Sequence, residues 1–383
     1  MDVSSIETKI VELNGFALSS PYQFGPNLGQ PAGAKSIGFI ELVAEDGTVG
    51  IGETYVGVYA PELIKPVAEF LSKSVIGASV GSANIIENLR ELPFVGRDGL
   101  IRSIASGVEI ALWDLRGKML GQPLWRLLQG KRSVRGYASG GSAASDTRAL
   151  LKDIEVAQSM GFSHFKMRAG WDDWDTDLSR IAFAADNLAS EGLMVDFIMG
   201  TLRPPWTPQE AMSKLRTLES LPIFWAEEPL FPDDFSGYAA LRSASNIPIA
   251  AGEAFSSRSD YDSLLNLNCV DVVQFDATHS GGIWECISLA KKAMDLDLAS
   301  AVHVWGSAVA IAANTALASA GPGIEFVEVP ISSLAINDHL WVDPPQISNG
   351  QVIPSEAPGL GVSLTRKTKE LFPLIPGSGY SLK

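Results

Sequence analysis

IFWAEEPL, residues 223–230, runs four apolar residues into two adjacent carboxylates and a proline. A strand buried on both faces reads as a short apolar run, and Pro229 with Asp233 and Asp234 beyond it marks the stop. Glu227 and Glu228 therefore fall at the strand's C-terminal edge. The same grammar recurs nearby: LMVDF ends on Asp196, PIAAGEAF carries Glu253, VVQFDAT carries Asp276 and ASAVHVW carries His303. Successive parallel strands that each end in a functional group bring those groups together only if the strands close into a ring. The predicted fold is α/β, a TIM-type barrel of seven or eight β/α units.

Strand starts near Val134, His164, Leu193, Ile223, Pro248, Asp271, Leu298 and Glu325 supply a full ring, with helical segments such as TRALLKDIEVAQSMG and ECISLAKKAMDLDL between them. The preceding chain reads differently. IGFIELVAEDGTVGIGETY is a hairpin turning at Asp46-Gly47, and helical patterns follow from Ala60 to Gly130. We expect an N-terminal α+β capping domain over 1–130, the barrel over 131–345, and a segment over 346–383 that returns to the cap.

Composition narrows the function classes. A net charge of −15 over 383 residues argues against nucleic acid or an anionic membrane as partner, since both need basic patches. Two cysteines, Cys269 and Cys286, give neither a disulfide framework nor a metal-binding spacing. The opening MDVSSIETKIVELNG has no basic leader or long apolar core, so a cytoplasmic protein is expected.

Asp196, Glu227 and Glu253 are hard oxygen ligands on three successive strands, a set that suits Mg²⁺ or Mn²⁺. A single strand-end acid commonly pairs with a surface base; three in succession need a cation to offset their shared charge. Asp276 and His303 close the next two strands. A carboxylate on one imidazole nitrogen fixes the tautomer and leaves the other nitrogen as a base. Lys166 and Arg168, two residues apart on the second strand, share its inner face and supply positive charge there. The polar loop SSPYQFGPNLGQPAG, with Tyr22 and Phe24, reads either as a lid over the site or as a plain surface connection.

At these residues the chain resembles the enolase superfamily, in the mandelate racemase and muconate lactonizing group. ALWDLRGKMLGQPLWRLLQG resembles that group's cap–barrel junction and APGLGV its C-terminal return. The intervals agree as well: 26 residues from Glu227 to Glu253, 23 to Asp276 and 27 to His303. The resemblance implies Mg²⁺ on Asp196, Glu227 and Glu253, and a dyad of Asp276 with His303. It also implies a Lys-x-Lys-like pair at Lys166 and Arg168, and an enolate-bonding acid at Glu328, with Glu325 the lesser claimant. The shared step is removal of the proton α to a carboxylate to give an enediolate. Symmetric homo-oligomers are common in the group.

Two departures direct the reading. Arg168 stands where the racemases have a second lysine, and a guanidinium yields its proton reluctantly. That favours one-base chemistry, the dehydration of a sugar acid to a 2-keto-3-deoxy acid. HVWG around His303 also resembles cycloisomerases of sugar lactones and anhydro sugar acids, so a cycloisomerase or racemase/epimerase is the alternative. A silent carboxylate-binding paralogue is the third. After Asp196 the chain reads DFIMGTLRPPW, with Ile198 where the group has Asn. Arg203 from this enlarged loop, with Trp305, Tyr22 and Phe24, is the expected substrate contact.

Overall fold

The computed structural model describes residues 2–22, 33–92, 94–143, 146–171, 173–190, 192–201 and 204–380. Phe24 and Arg203 lie outside them. Three long strands come first: β1 (Ile10–Pro21), β2 (Ala34–Ala44) and β3 (Val49–Thr54), paired antiparallel in that order. The Asp46-Gly47 turn joins β2 to β3, closed by Ala44 N–H donating to the Thr48 carbonyl at 2.9 Å. Small residues let the sheet approach the helix Gly99–Leu120. A Cβ on Gly52 would meet the Gly107 carbonyl at 1.9 Å, so only glycine fits there. That helix is buried on every side from Arg102 to Gly117, which is why its sequence lacks a clear polar face.

The barrel follows with β4 (Val134–Ser139), β5 (Phe165–Arg168), β6 (Leu193–Asp196), β7 (Ile223–Glu227), β8 (Ile249–Ala251), β9 (Val272–Phe275), β10 (Ala299–Val302) and β11 (Ile324–Pro330). Neighbours pair in parallel, and β11 returns to β4 with Val327 opposite Gly136, closing the eight-stranded ring. Each starts within a residue or so of its expected place. Tyr137, Met194, Trp225, Ala250, Val272, Ala301 and Phe326 fill one layer of the interior. Two residues along from Trp225 and Met194 come Glu227 and Asp196, so strand alternation carries the inward face from an apolar floor to a polar mouth.

The last segment divides its contacts. β12 (Gln346–Ser348) and β13 (Gln351–Ile353) form a hairpin that pairs with barrel strand β4, not with the first sheet. Beyond it, Leu360 N–H donates to Asp114 Oδ1 at 2.8 Å, and Ile375 N–H donates to Ser19 Oγ at 2.9 Å, two contacts with the first unit.

Two buried acids of the first unit plug open helix starts of the barrel. Glu53, at the end of β3, accepts from Ser307 N–H, from Ser307 Oγ at 2.6 Å and from Ala310 N–H at 3.0 Å, at the start of helix Ala308–Ala320. Glu109 accepts from Ile283 N–H at 2.8 Å and Trp284 N–H at 3.1 Å, at the start of helix Gly282–Asp295, and from Trp113 Nε1 at 2.6 Å. Carboxylates satisfy the orphan amide donors that every helix start leaves open. Glu109→Ala should lower unfolding free energy by about 3 kcal/mol, because it strands the buried Ile283 N–H and Trp113 Nε1 and the part-buried Trp284 N–H. Urea unfolding of the variant against wild type measures this, with Glu109→Gln expected to fall between them.

Candidate active site

The strand ends set the residues around the barrel mouth. Lys166, fully buried, places Nζ 2.6 Å from Glu227 Oε1, 3.2 Å from Glu328 Oε1 and 3.8 Å from Asp196 Oδ2. Burial alone would lower its pKa, yet Glu227 and Glu328 hold the ammonium charged well beyond its ordinary range. Arg168 shares that face: its Nε is 3.8 Å from Asp196 Oδ2, and one Nη is 4.0 Å from Glu328 Oε1.

Opposite them, His303 Nδ1 lies 2.9 Å from Asp276 Oδ2. Asp276 also accepts from Thr278 N–H and Oγ1 and from Asn314 Nδ2, at 2.8 to 2.9 Å. These donors offset its burial and keep it ionised. His303 Nε2 is 3.2 Å from Glu253 Oε2 and 4.0 Å from Glu328 Oε2. Burial works against an imidazolium, but Glu253 and the bond to Asp276 outweigh it and raise His303 to about 9. Glu328 accepts from Val304 N–H at 3.0 Å and Tyr137 OH at 3.2 Å. Though buried, it is held down to about 2 by Lys166 and His303. Glu325, by contrast, is exposed.

Asp196, Glu227 and Glu253 all face this mouth. Among the described residues no three acid, histidine or cysteine side chains close into a ready-made metal cluster. Glu227 instead turns to Lys166 and Trp225 Nε1, and Glu253 turns to His303. Their chemistry still fits a divalent cation. Burial and the neighbouring Glu227 raise Asp196 to about 6, and burial with Asp196 and Glu227 raises Glu228 to about 8. The enclosed Glu253 Oε2 has, among the described residues, no hydrogen-bond donor beyond its ionic contact with His303. Acids gathered this tightly need positive charge nearby.

Some residues around the mouth were not singled out as site residues from the chain alone. Glu228 directly follows Glu227 with φ +43°, a strained turn that buries its carboxylate beside the trio. Its adjacency to Glu227 was the available signal. Ile198, φ +44°, lines the cleft and donates its N–H to Asp196 Oδ1 at 3.0 Å, fixing that carboxylate through the backbone. Tyr55 and Tyr59, just beyond β3, line it from the first unit together with Trp305. Tyr22 lies near, its ring centroid 5.7 Å from Lys35 Nζ.

Comparison with known proteins agrees with this architecture. The enolase C-terminal domain-like profile matches residues 149–368, and the mandelate racemase / muconate lactonizing enzyme N-terminal domain profile matches 28–129. D-galactonate dehydratase of Ralstonia pickettii is 29% identical over 348 residues, 85% of this chain and 88% of that protein. The crystal structure of the 3,6-anhydro-D-galactonate cycloisomerase of Zobellia galactanivorans superposes with TM-score 0.82 at 26% identity, covering 95% of this chain and 99% of that one. L-talarate/galactarate dehydratase of Salmonella typhimurium, crystallised with Mg and L-lyxarohydroxamate, gives TM-score 0.83 at 24% identity, covering 98% and 94%.

Proposed function

This chain belongs to the mandelate racemase / muconate lactonizing enzyme family, with its enolase-like barrel, and from that premise we propose that it is a Mg²⁺-dependent sugar-acid dehydratase. The observation that carries the reading is the asymmetry of the mouth. His303 has Nε2 at the cleft paired closely with Glu253 alone, one of the acids that would turn to a cation, whereas Lys166 on the other side is held among Glu227, Glu328 and Asp196. One base is available, and dehydration needs only one.

With Asp276 accepting from Nδ1, His303 Nε2 takes the proton from the carbon α to the substrate carboxylate. The resulting imidazolium returns that proton to the β-hydroxyl as the C–O bond breaks. Water departs, and the enol becomes the 2-keto-3-deoxy acid. Lys166 and Arg168 offset the growing charge on the carboxylate oxygens, and Glu328 stays placed by Tyr137 and Val304 N–H. Asp196, Glu227 and Glu253 would hold a divalent cation, which would supply Lewis acidity worth several kcal/mol toward negative charge on the substrate's oxygens.

Incubation with a panel of aldonic and aldaric acids, followed by mass spectrometry, tests the reaction. Loss of one water from a turned-over acid is the expected result. Turnover at constant mass would replace dehydration by cycloisomerisation, the reaction named for the Zobellia relative, or by epimerisation. No turnover of any acid would leave the silent paralogue.

A further inference from the structure

The acids that would hold the cation are not secured alike. Asp196 Oδ1 accepts from Ile198 N–H at 3.0 Å, and Glu227 accepts from Lys166 Nζ at 2.6 Å and Trp225 Nε1 at 3.1 Å. The enclosed Oε2 of Glu253 has, among the described residues, only the His303 imidazole, in ionic contact at 3.2 Å. A metal ligand without outer partners of its own takes its position from the main chain that carries it.

That main chain is irregular and is gripped on both sides. Glu253 lies just beyond the end of β8, and Gly252 before it has φ +134°; a Cβ there would meet the Gln274 carbonyl at 2.5 Å, so only glycine fits. The carbonyls flanking Glu253 each meet a side chain. Tyr261, fully buried, donates its hydroxyl to the Gly252 carbonyl at 2.8 Å. His279 Nε2 lies 3.1 Å from the Ala254 carbonyl, and its Nδ1 lies 2.9 Å from Ser103 Oγ. A carbonyl can only accept, so Nε2 carries the proton and Nδ1 accepts from the Ser103 hydroxyl. Burial lowers the pKa of this imidazole, which favours that neutral form.

Both gripping side chains are themselves fixed. Ser103 stands on the buried helix Gly99–Leu120, and His279 N–H donates to the Asp276 carbonyl at 2.9 Å. The Tyr261 hydroxyl also meets Ser280 Oγ at 2.8 Å. The loop 276–280, whose Thr278 holds the Asp276 carboxylate, thus reaches both flanks of Glu253 as well. One short loop ties the base side of the mouth to the metal side.

We propose that His279 and Tyr261 are positioning residues of the metal centre: they clamp the main chain on either side of Glu253 and so hold its carboxylate for the divalent cation. The inference rests on the Mg²⁺-dependent reading above. Neither side chain is given a contact with cation or substrate.

Two half-substitutions separate this clamp from a general packing role. His279→Gln can place an amide N–H where Nε2–H was and keep the bond to Ala254; His279→Asn, one carbon shorter, keeps an acceptor near Nδ1 for Ser103 but falls short of Ala254. Calorimetric Mg²⁺ titration of the full chain should find the Gln variant within about threefold of wild type and the Asn variant weakened roughly tenfold, the lower range for loss of an outer partner of a metal ligand. Tyr261→Phe, which removes only the hydroxyl, should weaken Mg²⁺ roughly three- to tenfold. Urea unfolding of the same preparations supplies the contrast, because a purely structural role would make affinity follow stability, with Gln and Asn losing alike. Equal losses in the Gln and Asn variants, or unchanged affinity in either His279→Asn or Tyr261→Phe, overturn the inference and leave the metal reading standing. Should His279→Asn not fold, Tyr261→Phe decides by the same criterion. If wild type itself binds no Mg²⁺, that reading falls together with the inference.

Discussion

His303→Asn is expected to lower turnover by about 10²–10⁴-fold while Mg²⁺ affinity stays within a few-fold of wild type. The imidazole is the group in the cleft with one nitrogen held by the buried Asp276 carboxylate and the other at the mouth, 3.2 Å from Glu253. Asparagine keeps a donor for Asp276 but offers no basic nitrogen. Asp276 itself should remain in place, since Thr278 and Asn314 hold it independently. Mass-detected turnover and calorimetric Mg²⁺ titration of the same preparation separate base from metal. An unchanged rate would remove His303 from its role and leave Lys166 to be reconsidered, despite its three acidic neighbours.

Asp196→Asn should cut Mg²⁺ affinity by more than roughly 100-fold, the upper range seen when even an outer partner of a metal ligand is lost. The amide keeps the volume and one oxygen to accept from Ile198 N–H, so the change is largely one of charge. Asp196 is contacted by Lys166 and Arg168, not by His303, which makes it a cleaner probe than Glu253. Part of the turnover should return at saturating Mg²⁺. Unaltered affinity in a competition titration would mean that the cation sits elsewhere and that the trio Asp196, Glu227 and Glu253 is misassigned.

The barrel was legible because most of its strands are short apolar runs with turn signals at their ends, and alternation then fixes which side chains enter the ring. Trp225 under Glu227 and Met194 under Asp196 follow from that rule. The hairpin 346–353 was harder: nothing in QISNGQVI says whether its edge meets the cap or a barrel strand, and strand partners are set by tertiary packing. The same limit hid Tyr55 and Tyr59. Each is ordinary in its local sequence and becomes part of the cleft only when distant segments meet. Arg203 and Phe24, expected as substrate contacts, fall outside the described residues.

Glu53 and Glu109 restrict how such a protein can be recombined. A chimaera joining this first unit to a foreign barrel would bury two carboxylates without the amide donors of Ser307, Ala310, Ile283 and Trp284 to receive them. The reciprocal graft would leave two barrel helices with bare beginnings. Residues around the mouth can therefore be exchanged singly, but a swap of either whole unit must carry both halves of these two carboxylate–amide junctions.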